Sequence, residues 1–162
     1  MVFFRQLFDS NSSTYTYILA DEESKEAVII DPVVDQLPRD LTLLKELGFK
    51  LLCELETHLH ADHVCSGLEI RKTLPNVKTC ISPKAGMKPF DELQTLVEGD
   101  VVNFGKYCLK VLETPGHTNG CLSYVFNDEM VFTGDACMSI YELCYFWNEF
   151  LSFIERICHV IF

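Results

Sequence analysis

Short apolar runs broken by turn residues dominate the first 135 positions. Val2–Phe8 and Thr14–Ala20 are rich in aromatic and β-branched residues and predict strands. The polar stretch Asp21-Glu22-Glu23-Ser24-Lys25 predicts a turn between strands, and Ala27–Ile30 a short buried strand ending at Asp31-Pro32. From Asp40 to Leu47 the period changes. Leu41, Leu44 and Leu47 share one face, and Gly48 stands where a helix ends, so an amphipathic helix is expected. Phe49–Glu56 returns to strand, and a second helix over Ser66–Leu74 stops at Pro75. Val77–Ser82, Asp100–Phe104, Tyr107–Glu113, Leu122–Phe126 and Met130–Thr133 predict further strands, with Asn127-Asp128 as a hairpin turn. Helices interspersed with hairpins imply an α/β fold whose sheet is mixed rather than purely parallel.

From Met138 the pattern differs. Ile140, Leu143, Cys144, Trp147, Leu151 and Ile154 recur at helical spacing, while Glu142, Glu149 and Glu155 stay on the other face. This segment holds the only tryptophan. The chain therefore divides into a unit over 1–137 and an apolar, helix-like tail over 138–162. The tail reads as a core-covering helix before it reads as a membrane-surface helix, whose polar face would be basic.

The length of 162 residues suits one domain with a real core. Acidic residues outnumber basic ones 24 to 13, for a net charge of −11, which argues against nucleic acid or an anionic membrane as the main partner. There is no uncharged apolar run of about 18 residues, so no spanning helix is expected. The eight cysteines are scattered without a Cys-x-x-Cys pair, and free thiols in a reducing compartment are the simplest account. Met1-Val2-Phe3-Phe4-Arg5-Gln6 lacks a basic region followed by a long apolar stretch, so neither a secretory nor a transit segment is expected in these residues.

The chemistry gathers in three short loops. His58-x-His60-x-Asp62-His63 follows the strand ending at Glu56. Imidazole and carboxylate are good ligands for zinc or ferrous iron. A chance run of this kind arises in on the order of one chain in ten thousand, so ordinary surface histidines are a poor account. Thr114-Pro115-Gly116-His117-Thr118-Asn119-Gly120 presents His117 on a tight turn, and Phe132-Thr133-Gly134-Asp135 places a carboxylate just past a strand. Alone, the latter two would read as a loop histidine and a turn aspartate. Beside the first run, all three can converge on one sheet edge.

On these residues the chain resembles the metallo-β-lactamase superfamily. Within it the chain is similar to the persulfide dioxygenases, the ethylmalonic encephalopathy protein family. That resemblance extends to Phe4-Arg5-Gln6-Leu7-Phe8, Thr14–Leu19, Glu26–Pro32, Lys45–Gly48 and Gly116-His117-Thr118-x-Gly120-Cys121. It implies an αββα sandwich and one Fe(2+) held by His58, His117 and Asp135, a 2-His-1-carboxylate set. Zinc is the alternative metal. Asp62 and His63 would hold a second metal in two-metal relatives; here they and His60 would support the site through hydrogen bonds. Asp31 reads either as the superfamily's buried aspartate beneath the metal loop or as a strand-end turn residue.

The resemblance further implies oxidation of glutathione persulfide by O2 to sulfite and glutathione, in the mitochondrial matrix, with a homodimer left open. Without a presequence, a cytoplasmic location is the other expectation. After Ala136 the family pattern stops, so the sandwich is expected to be incomplete on its C-terminal side. The competing readings are a glyoxalase II-like hydroxyacylglutathione hydrolase and an inactive, truncated binding module whose apolar tail meets a partner.

Overall fold

The computed structural model describes residues 1–137; the apolar tail lies outside the described residues. Ten strands form two sheets. The first sheet has six strands in chain order: β1 (Val2–Asp9), β2 (Thr14–Asp21), β3 (Glu26–Ile30), β4 (Lys50–Leu55), β5 (Lys78–Ile81) and β6 (Leu93–Thr95). Strands β1 to β3 run antiparallel, and β3 to β6 run parallel. The second sheet holds β7 (Val101–Phe104), β8 (Tyr107–Glu113), β9 (Leu122–Phe126) and β10 (Met130–Phe132), all antiparallel. The mixed sheet follows from the connections: short polar turns join β1 to β3, and helices join the parallel strands.

Helix α1 (Leu37–Glu46) starts three residues before the expected Asp40. Pro38 sits in its first turn, where its missing N–H costs nothing. Helix α2 (Gly67–Thr73) begins after Ser66. Both pack on one face of the first sheet, where Leu37, Leu44 and Ile70 meet Ile18, Ala20, Ile29 and Leu51. The opposite face buries Leu19, Val28, Ile30, Leu55 and Cys80 against Phe104, Leu109, Val111, Tyr124 and Phe126 of the second sheet. Among the described residues the layers are therefore helix, sheet and sheet.

Strand β6 was not expected: it is three residues long, two of them polar, too short to show alternation. Asn127 and Asp128 both have positive φ, 52° and 55°, as the tight β9–β10 turn requires. The wider first sheet overhangs the narrower second one. Phe8, Tyr15, Tyr17, Phe4 and Phe132 form a connected run of rings there, and Phe8 and Tyr15 are each 49% exposed. Cys53, Cys65, Cys80, Cys108 and Cys121 are free thiols.

Candidate metal centre

The three expected loops leave strands at the same edge of the sandwich. His58 follows β4, His117 lies between β8 and β9, and Asp135 follows β10. Strand ends are rigid, so loops starting there can aim side chains at one point. One ligand atom from each of these three residues falls within 4.8 Å of the others. His58 Nε2 is 3.9 Å and His117 Nε2 is 3.6 Å from the same Asp135 oxygen, Oδ2. His58 is buried, whereas His117 and Asp135 are 42% and 53% exposed. The donor set therefore opens to solvent on one side and is walled by protein on the other.

Local chemistry explains each placement. The His117 loop closes through Thr114 N–H donating to the Cys121 carbonyl and Gly116 N–H to the Thr118 carbonyl. Gly120 packs against the Ala85 backbone, where a Cβ would meet the Ala85 nitrogen at 2.8 Å. Asp135 sits in a 3-10 turn, Gly134–Cys137, that Gly134 opens with φ 49°. The first loop is tied to the end of β3: Ser66 donates through N–H and Oγ to the Pro32 carbonyl, and Val33 bridges Cys65.

Asp31 lies buried beneath the first loop, so it is more than a turn residue. Its carboxylate accepts Thr57 N–H at 2.7 Å and Thr57 Oγ1–H at 2.8 Å. The His60 ring lies 4.0 Å from that of His58, centroid to centroid, and its Nε2 reaches to 3.3 Å from Asp31 Oδ1 and 3.6 Å from Glu56 Oε2. His60, Asp62 and His63 form a second donor group within 4.8 Å. In it, Asp62 Oδ1 lies 3.8 Å from His60 Nδ1 and 3.4 Å from His63 Nδ1. His63 Nε2 is buried without a hydrogen-bond partner.

The titration shifts follow these surroundings. Burial and then neighbouring His60 lower the His58 pKa, and the same two causes lower that of His63, a shift toward the neutral imidazole that ligation uses. Burial also opposes charge on His60, but Asp31, Asp62 and Asp135 outweigh it and raise its pKa. For Asp62, burial acts upward, yet its own amide and the two imidazoles bring the carboxyl below its usual range.

Five participants were not singled out from the sequence. Thr57 and Gly134 were visible only as neighbours of ligands. Thr14, whose hydroxyl is 3.3 Å from His63 Nδ1, comes from a distant hairpin. Glu54 on β4 and Glu56 just past its end are fully buried, where a strand in an apolar pattern would carry aliphatic side chains. Nothing in linear spacing signals a contact across 49 positions, as between Thr14 and His63.

The profile described as "Metallo-beta-lactamase superfamily" matches residues 10–139. The chain belongs to this superfamily. It is 46% identical to the Mus musculus protein named persulfide dioxygenase ETHE1, mitochondrial, over 138 residues, covering 85% of this chain and 53% of that one. A hydroxyacylglutathione hydrolase of Gloeobacter violaceus is 32% identical over 112 residues, covering 69% of this chain and 44% of the relative. The crystal structure of ETHE1 from Myxococcus xanthus superposes with a TM-score of 0.73 at 41% identity, covering 81% of this chain and 56% of that one. The chain spans about half the length of the curated relatives it matches. The superfamily fold has the mixed α/β layers seen here. Among the described residues, no helix is long and apolar enough to cross a membrane.

Proposed function

We propose that this chain carries the metal centre of an iron-dependent persulfide dioxygenase, which oxidises glutathione persulfide with O2 to sulfite and glutathione. The observation that carries the reading is the meeting of His58 Nε2, His117 Nε2 and Asp135 Oδ2 at one open sheet edge. Similarity to proteins named persulfide dioxygenase supports it. Two imidazoles and one carboxylate fit ferrous iron and leave positions for small reactants. An ion held there would supply the redox chemistry between O2 and a sulfur substrate.

The protein's own part is positional. His58, with Thr57 and Asp31 behind it, forms a buried wall that excludes water from one side. His117 and Asp135 form the exposed rim, so a small thiol-derived substrate approaches across them. The similar mammalian proteins are named as mitochondrial, and the same compartment is proposed here.

A second reading, a two-metal hydrolase acting on glutathione thioesters, draws on the second donor group His60, Asp62 and His63. Metal analysis of the purified chain together with oxygen consumption on glutathione persulfide separates the two. One equivalent of iron with sulfite formation is expected. Two metals with thioester cleavage, or a folded chain that takes up no metal, would overturn the proposal.

A further inference from the structure

Thr57 is a buried residue with no exposed polar group to satisfy in water, and all of its hydrogen-bonding groups are used. Its amide and hydroxyl each donate to a different oxygen of Asp31, at 2.7 and 2.8 Å. Its hydroxyl oxygen lies 3.0 Å from His58 Nδ1. Its carbonyl accepts the N–H of Leu122, the first residue of β9, at 2.7 Å. Finally, its side chain occupies the space where Gly134 has no Cβ; any larger residue there would collide with the hydroxyl.

A hydroxyl has one proton and oxygen lone pairs that accept. The proton goes to Asp31, so toward His58 the oxygen can only accept. His58 must then carry its proton on Nδ1, and its Nε2 lone pair faces His117 and Asp135. The same threonine touches the segment leading into each donor. It precedes His58, its carbonyl anchors the strand that closes the His117 loop, and it seats the glycine before Asp135.

We infer that Thr57 is the positioning residue of the centre, selecting the metal-facing nitrogen of His58 and holding the three ligand-bearing segments in register. The inference rests on the reading of His58, His117 and Asp135 as ligands, but its first consequence is a property of the metal-free chain. Outer hydrogen-bond partners of ligating histidines typically change metal affinity by about 10–100-fold, and that is the size expected here.

The test compares the wild type with Thr57→Val, which keeps the shape and removes the hydroxyl, and Thr57→Ser, which keeps the hydroxyl. Imidazole nitrogen NMR of the metal-free wild type at about pH 8, above the ordinary histidine pKa, is expected to show His58 protonated on Nδ1. Thr57→Val should shift the population toward the Nε2–H form and lower affinity for Fe(2+) or Co(2+) by about 10–100-fold. Thr57→Ser should restore both. A wild type protonated on Nε2 overturns the inference whether or not either variant folds, as does a folded Thr57→Val with unchanged tautomer and affinity. If the wild type takes up no metal, the proposed function fails, while the tautomer measurement still decides the role of Thr57.

Discussion

Tyr124 of the second sheet donates its phenolic hydrogen to the carbonyl oxygen of Glu56 in the first, at 2.7 Å. Both groups are fully buried, and the bond lands two residues before His58. It pins the start of the metal loop to the opposite layer of the sandwich. Tyr124→Phe leaves that carbonyl facing an apolar ring. The expected loss is about 1–3 kcal/mol, the cost of an unpaired buried acceptor, read as a lower urea midpoint with unchanged slope. A variant as stable as the wild type would show that the bond contributes nothing net.

Gly134 carries positive φ and packs directly on Thr57. Gly134→Ala meets both constraints at once: left-handed backbone and a Cβ pushed into the Thr57 side chain. A destabilisation of about 1–3 kcal/mol follows from the overpacking alone. Metal affinity should fall with it, because displacement of Thr57 moves the His58 ring. Thermal unfolding alongside metal titration checks both. Gly48→Ala, whose Cβ would meet nothing within 4 Å, serves as the strained but uncrowded comparison.

Glu54 on β4 and Glu56 just past its end are both buried, and burial raises both pKa values, that of Glu56 well above its ordinary range. In the unfolded chain both titrate near the ordinary glutamate value of about 4.3. A carboxyl raised on folding stabilises fully below the unfolded value and loses that contribution as pH climbs through the folded one. Glu56→Gln removes the group that must ionise. Its urea midpoint should therefore gain on the wild type as pH rises from about 5 to about 8.5. The difference between the two curves isolates Glu56 from Glu54 and the histidines, which are common to both. Parallel curves would mean that Glu56 is already ionised in the folded chain over this range, as it is in the unfolded one.

His117 stands on the open side of the donor set, 42% exposed and outside the buried core. His117→Ala should leave the fold intact and reduce iron affinity by more than the about 10–100-fold expected for an outer partner. Chelation should lower the melting temperature of the wild type, since a ligand at about 100 times its Kd adds about 2.7 kcal/mol. The same chelator should leave His117→Ala nearly unmoved. Equal metal-dependent stabilisation in both chains would remove His117 from the donor set.

Much of this was legible in the linear pattern. The runs Tyr107–Glu113 and Leu122–Phe126 placed two strands with the bounds observed, and Asn127-Asp128 placed their neighbouring turn. The His-x-His-x-Asp-His run and the two later loops named the residues that meet. What stayed hidden was anything lacking period or motif. Strand β6 is an edge held by pairing with β5, from Thr79–Leu93 to Ile81–Thr95, not by its own apolar content. The start of α1 at Leu37 depends on Pro38 tolerating the first turn.

The sequence by itself determined which residue types stand at strand ends, and so which donors are available and in which loops. Local propensity and side-chain chemistry suffice for that, because they act over a few positions. Only the tertiary structure decided how the donors are shared. His58 joins His117 and Asp135, while His60 turns to Asp31 and joins Asp62 and His63. That choice depends on Asp31 lying beneath the loop and on Thr57 bonding to it from 26 positions away. Such contacts arise from packing two sheets face to face, and no spacing along the chain encodes them.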